Sequence, residues 1–557
     1  MQYTPIRTAV SPETITKVTR LFNGTLEDIT NELLQNSRRA GSTIIRVTAR
    51  QDGDQLAICF NDNGSGISHP SKVLTLGTSG WAPELSQAED AAGMGVFSLS
   101  GREITISSRT RNKGLGWKMT IDADAWTGEK DIHVTSDNMM PGTSIDFVDT
   151  DATLDRFQRI LAAAAKHCPT PVYFNKEELP RADFLDGAIH IVEWNGSRIG
   201  VFTGSRYHQT PTVNFHGLTI TARLAEIAES FGRAEYHARL DIGSTPGLQL
   251  VLPARKEFVQ NDLFADLVTA CRKAIYEAIS KKPSHRLSFA SWKRARDLGI
   301  DLPEAEPVLY AWMPATADND NGHPTGEVLS VDPQKTSIVD NFEPHIAAPI
   351  ARAIHQHQIR ENMAEQHTPY EGYSWYDRLP KFCNPRFYID ASGSNYANGE
   401  NGCCPALDTH IEATGIELRY NLTHAASETE REFRVPADVS FISPDDRWGD
   451  DLDNISIAYV CSDSLTPEDL ADLLEEAFFC ASDDCEADSW DTQHDRFVRD
   501  ARELATRLLH GENAAIRTQF ADHLDRIRWM FPKGKIVSIR IADEKMEVSV
   551  SDCPETA

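Results

Sequence analysis

No stretch of this sequence is apolar for the roughly 18 residues that a membrane-spanning helix needs. The first residues, MQYTPIRTAVSPET, lack the apolar core of an export signal. There is no internal repeat and no long low-complexity tract. Cysteine is sparse and scattered, ten in 557 residues, with Cys403 and Cys404 adjacent. A chain of this size without an export signal points to reduced thiols and a cytoplasmic location. No CxxC or HxxxH pair stands at zinc-finger spacing, so His345, His355, His357, His367 and Cys383 do not read as a zinc site. The acids Asp483, Asp484, Glu486, Asp488 and Asp491 lack the spacing and glycine of a calcium loop. Basic charge is short in the second half. Residues 281–557 hold 27 Lys and Arg against 50 Asp and Glu, while residues 1–280 hold 28 against 33. An acidic C-terminal half argues against broad contact with nucleic acid or an anionic membrane there.

What is present is concentrated between residues 27 and 67. Thr25 and Asp28 form the ends of a capping box, and a helical stretch follows that holds Glu32 and Asn36. At i and i+4 these two share one helix face. Ile29, Leu33 and Ala40 form an apolar stripe in which Asn36 also falls, and Gly41 supplies the stop. Two apolar strands come next. The second runs into Asp62-Asn63-Gly64-Ser65-Gly66-Ile67, a carboxylate beside backbone that a ligand can approach closely. Further on stand Gly77-Thr78-Ser79-Gly80, then Gly93-Met94-Gly95-Val96, and then Gly142-Thr143 entering a strand.

These four motifs in this order resemble the Bergerat nucleotide fold of the GHKL ATPases: gyrase B, the HtpG-type chaperones, histidine kinases and MutL. The resemblance implies an α/β sandwich over residues 1–150, with helices on one face of a mixed sheet. It implies ATP and Mg²⁺ as ligands. Glu32 matches the general base and Asn36 the Mg²⁺ ligand. Asp62 matches the acceptor of the adenine amino group, beside Gly64, Gly66 and Ile67. Residues 77–95 match a mobile lid whose ends (Gly77, Thr78, Ser79; Gly93, Met94, Gly95, Val96) hold phosphates and open a helix. Met94 packs either on the adenine or in the core. Thr143 matches the hydroxyl that joins Asp62 at the base. A MutL-like helix reads roughly ELVENSLDAG. This one reads ELLQNSRRAG, so Arg39 replaces an acid.

Residues 151–285 resemble the transducer domain that follows in MutL and gyrase B: a helix at 154–166, strand-like runs (VYFN, AIHIVEW, IGVFTG, TVNFHGLTI, LQLVLP) and a closing helix at 262–280. Arg255 or Lys256 falls where that family has a lysine on the γ-phosphate. The alternative is a solvated basic pair. Residues 286–345 read as linker, and 346–557 as an acidic α+β domain of no recognised family. There, helices are expected at 352–365, 467–480 and 495–528. The whole reads as α+β. The function implied is an ATPase that switches conformation, pairing two N-terminal domains as a homodimer on an unknown protein partner. The alternatives are an ATP sensor with little turnover, an HtpG-like chaperone and a MutL-like subunit acting on DNA. A histidine kinase fits poorly, because no histidine-bearing helix precedes Glu32.

Overall fold

Thr25 and Asp28 set the start of the first helix. In the computed structural model the Asp28 amide donates to the Thr25 hydroxyl, and the Thr25 amide to the Asp28 carboxylate. Two otherwise orphaned amides are thereby satisfied. The structure describes residues 25–74, 95–127, 130–204, 210–245, 247–251, 257–318, 326–357, 362–392, 394–399, 410–424, 427–442, 452, 455–482, 484, 487–531, 533–542 and 545–552. They fall into two compact units, Met1–Ala305 and Glu306–Ala557.

In the first unit, helix α1 (Leu26–Arg39) buries Ile29 and Leu33. Gly41, at φ 65°, turns the chain out of it. Strands β1 (Ile45–Asp52) and β2 (Gln55–Asp62) form a hairpin whose buried and exposed residues alternate, so one face is covered and one is open. Strands β3 (Ile104–Arg109), β4 (Gly116–Ile121), β5 (Val134–Asp137) and β6 (Gly142–Asp149) extend it. Helix α2 (Leu154–Ala165) packs beside α1, and Phe157 on it meets Phe60 of β2 edge-on at 6.3 Å. Then β7 (Val172–Phe174) joins β1 in parallel and β8 (Glu177–Glu178) closes the edge. The order is β5-β4-β3-β6-β2-β1-β7-β8, a mixed eight-stranded sheet. Its core runs continuously from Leu26 to Phe174. The boundary expected at 150 therefore falls inside this core.

A second sheet comprises β9 (His190–Trp194), β10 (Ser197–Thr203), β11 (Val213–Phe215), β12 (Leu218–Ile220), β13 (Glu226–Ala228) and β14 (Glu235–Ile242). Its order is β12-β11-β14-β10-β9, with β13 also on β14. The single run expected at TVNFHGLTI is instead a tight hairpin, because His216 (φ 55°) and Gly217 (φ 103°) reverse the chain. Helix α3 (Asp262–Ser280) packs on this sheet. Helix α4 (Phe289–Asp297) follows, and Leu287, Ala295 and Leu302 are buried in the same core. Residues 286–305, expected as the start of a linker, thus belong to the first unit.

The second unit opens with β15 (Val308–Tyr310), β16 (Val328–Ser330) and β17 (Thr336–Val339), and helix α5 (Pro344–Gln356) follows. The helix expected at 352–365 thus starts earlier, at Pro344, and gives way to strand β18 (Asn362–Glu365). Proline suits a first helical turn, where its missing amide costs nothing. Next come β19 (Lys381–Ala391), β20 (Ser394–Gly399), β21 (Ile411–Glu412), β22 (Gly415–His424), β23 (Ser427–Ala437), β24 (Val439–Ile442) and β25 (Ser456–Tyr459). They form a sheet β18-β17-β19-β22-β23, with β20 on β19, and a smaller one, β21-β25-β24. Helix α6 (Pro467–Phe478) packs between α5 and α7 (Trp490–His510). Gly511, at φ 83°, divides α7 from α8 (Glu512–Arg526), where one helix was expected. A hairpin of β26 (Lys535–Ala542) and β27 (Lys545–Asp552) ends the described chain. The molecule is α+β throughout. No helix among the described residues is long and apolar enough to cross a membrane.

Candidate functional site

The end of β2 and the exposed side of α1 build the site. Glu32 and Asn36 stand one turn apart on α1, both half-buried, above buried Ile29 and Leu33. The Asn36 amide has no hydrogen-bond partner among the described residues. Glu32 faces Arg39, two turns on, at 3.8 Å, with the two side chains 16% and 2% exposed. The acid-to-base replacement seen in the sequence thus places a buried guanidinium beside the Glu32 carboxylate.

Asp62 is buried at the last position of β2. One carboxylate oxygen accepts the Gly64 amide at 2.8 Å, and the other accepts the Ser37 hydroxyl at 3.4 Å. Thr143, its partner across the β2–β6 ladder, donates a backbone amide as well. Burial outweighs these donors and raises the carboxyl pKa from 3.8 to about 6. Asp62 therefore keeps an acceptor in a nearly dry position.

Ser108 of β3 ties the floor together. Its hydroxyl donates to the Gly142 carbonyl, lies 3.0 Å from the Thr143 hydroxyl and accepts the Ile67 amide at 2.8 Å. The Trp117 indole donates to the Ile67 carbonyl at 2.9 Å. On the other side, the Asn63 side chain accepts the Thr43 and Ile44 amides, and the Ser65 amide donates to Ala40 at the end of α1. The loop from Asp62 to Ile67 is thereby held between α1 and β3.

The glycines of that loop have a reason within the protein. A Cβ at Gly64 would lie 2.6 Å from the Ala40 Cβ, and one at Gly66 would lie 2.1 Å from the Arg109 carbonyl. Gly142 is tighter still, 1.9 Å from the Asp62 carbonyl. Backbone-on-backbone packing, rather than ligand approach alone, demands these three.

Gly77, Thr78, Ser79, Gly93, Met94, Arg255 and Lys256 lie outside the described residues. Gly95 opens a short helix after the lid, a five-residue 3₁₀ turn (Gly95–Leu99), and Val96 packs half-buried on the core. Phe97 and Leu99 are buried there, and Phe97 meets Trp126 at 5.8 Å. On either side of Arg255 and Lys256, the Val251 amide donates to Glu257 and the Val259 amide to Gln249.

Residues 24–152 match the family model of histidine kinase-, DNA gyrase B- and HSP90-like ATPases. The N-terminal domain belongs to this GHKL-type family. Its eight-stranded sheet and helices are the setting in which Glu32, Asn36 and Asp62 are found. No curated protein matches the chain. Among solved structures, it is similar to the ATPase and transducer domains of DNA topoisomerase II from Balamuthia mandrillaris. Identity is 18%, with a TM-score of 0.28, over 35% of this chain and 60% of that one. The chain thus spans less than two thirds of that protein.

Reading the sequence of the GHKL-type domain missed Ser108, Ser37 and Gln35. Serine signals nothing by spacing, and Ser108 acts only because β3 lies beside β6. Gln35 carries no signal by spacing either. Its side-chain amide donates to the His216 carbonyl at 2.8 Å and, more weakly, to Phe215 at 3.4 Å.

Proposed function

We propose that this protein binds ATP with Mg²⁺ in the GHKL-type domain, hydrolyses it through Glu32, and uses the nucleotide as a conformational switch. The observation that carries this is the buried Asp62 acceptor beneath a helix that presents Glu32 and an Asn36 amide with no partner among the described residues. Asp62 accepts the adenine amino group, with the Thr143 hydroxyl alongside, itself held by Ser108. Asn36 offers a neutral side-chain oxygen. That suits Mg²⁺, which takes few protein ligands and completes its shell with phosphate oxygens and water. The ion, when bound, offsets phosphate charge. Glu32 orients the attacking water and takes its proton.

In this reading the second sheet with α3 acts as a transducer-like domain for nucleotide state, and two N-terminal domains pair while ATP is bound. The partner protein remains open. The reduced thiols Cys168 and Cys271, both buried, fit a cytoplasmic location.

A second reading is favoured by one observation. Arg39 engages the Glu32 carboxylate at 3.8 Å and so holds the group that would have to turn toward an attacking water. A slow ATP sensor with the same ligands would follow. The test is Glu32→Gln rather than Glu32→Ala, since the amide still offers Arg39 an acceptor while removing the base. Expected are unchanged ATP affinity by calorimetry and turnover reduced about 100-fold or more. Turnover unmoved by Glu32→Gln leaves the sensor as the account. Loss of binding in folded Asp62→Asn is the companion result, and intact binding there removes Asp62 from adenine recognition and with it the Bergerat assignment.

A further inference from the structure

We infer that the β26–β27 hairpin and the turn before it form a docking surface for a second copy of this chain. Among the described residues twenty-one large hydrophobic side chains stand exposed, and ten of them lie between residues 516 and 550. Their placement is ordered. The hairpin register sets Val537 opposite Val550, Ile539 opposite Val548 and Ile541 opposite Met546, so six apolar side chains share one face. The other face pairs Ile536 with Ser551, Ser538 with Ser549 and Arg540 with Glu547 and is mostly polar. Every residue of β27 is exposed. A lone two-stranded hairpin is marginal in water, and a one-sided apolar face of this kind is the form a sheet takes when another layer covers it.

Charge and area favour a second copy as that layer. Residues 527–552 carry five Lys and Arg against four Asp and Glu, within a half that carries 27 against 50. A partner drawn by the acidic charge would be basic and would settle elsewhere on the unit. A balanced patch lets two acidic chains meet without the repulsion the rest of the surface imposes. The Lys535–Asp552 ion pair keeps even the end of the hairpin neutral. Ile527, Trp529 and Met530 of the turn and Ile541, Met546, Val548 and Val550 of the apolar hairpin face are 42–81% exposed. With the polar residues around them they are on the scale of the about 800 Å² per partner that a stable interface buries. An apolar sheet face packed on its twin about a twofold axis is self-complementary.

The experiment is sedimentation equilibrium of the full chain at micromolar concentration without nucleotide, which separates this dimer from any formed on ATP. The expected mass is twice the 62.0 kDa of one chain. Val548→Glu and, separately, Trp529→Ser should each weaken association at least 10-fold. Thermal melts at low concentration should be unchanged, because both side chains already face water in the single chain. A wild-type mass of 62.0 kDa overturns the proposal, whether or not the chain then floats with lipid vesicles or is held by another protein. So does a dimer indifferent to both substitutions.

Discussion

Asp62 holds a charge that its surroundings disfavour. Its pKa of about 6 means that the folded protein keeps a proton there which the unfolded chain, near 3.8, has released. The folded state binds more protons between those values. The contribution of this group to stability is therefore greatest below pH 4 and is lost as pH rises through 6. Nucleotide binding runs the other way. Only the ionised carboxylate accepts the adenine amino group without presenting a hydrogen of its own. ADP affinity is thus expected to be full above pH 7 and to fall up to tenfold per unit below pH 6. Calorimetric titration from pH 5 to 8 checks it, and a flat profile would separate Asp62 from adenine recognition. Arg39 is the companion case, a buried cation that gives Glu32 a structural role whatever its chemistry. Removing one partner of such a pair strands the other.

At the scale of elements, α1 is tied at its middle as well as its ends. Gln35, between Glu32 and Asn36, hangs the helix from the β11–β12 turn, and Gly217 in that turn comes so close to Cys168 that a Cβ would sit 3.0 Å from its Cα. Gln35→Glu would face two carbonyls with a carboxylate. A loss of about 1–3 kcal/mol is expected, read as a lower melting temperature, together with slower turnover as α1 shifts. Full stability and turnover in that variant would mean the tie carries nothing. The ends of α1 were legible in the sequence because caps and glycine stops are local chemistry. The sharing of one helix face by Glu32 and Asn36, and the place of Asp62 at the end of a strand, were legible too, whereas their roles rest on the resemblance to the GHKL ATPases. The turn at His216–Gly217 was not, since a histidine at φ 55° has no sequence signal. β14 by contrast carries the period-2 signal in full: Tyr236, Ala238, Leu240 and Ile242 are buried and alternate with His237, Arg239 and Asp241. The fold supplies the polar partners, with Arg239 over the Phe202 ring at 4.2 Å and Asp241 paired with Arg198. In the second unit, Pro344 and Gly511 moved helix limits that periodicity alone had set elsewhere.

For the whole molecule, charge separates the two units more sharply than sequence halves do. Met1–Ala305 holds 34 Lys and Arg against 36 Asp and Glu, while Glu306–Ala557 holds 21 against 47. Nearly all the net charge of −28 therefore sits in the second unit, which carries −26. Self-repulsion at that density opposes folding and is screened by salt. Calorimetry is expected to resolve two unfolding transitions. Raising salt from low to physiological strength should move one of them upward and leave the near-neutral unit almost still. Equal movement of both would mean that the acidic surface is offset locally by its ion pairs.

The parallel pairing of β7 with β1 has a practical side. A protein cut after Thr150, where the sequence suggested a boundary, would lack the backbone that Ile45–Val47 pair with. It would also lose Phe157 and Leu161 from beneath the sheet. What remained would be a naked strand margin beside greasy, newly wetted residues, the combination that recruits neighbouring molecules into aggregates. Expressed alone, residues 25–150 should sediment as insoluble material, whereas residues 25–305 should stay in solution. A soluble, monodisperse shorter piece would show that the margin is harmless and that the chain tolerates being divided in the middle of its own hydrophobic interior.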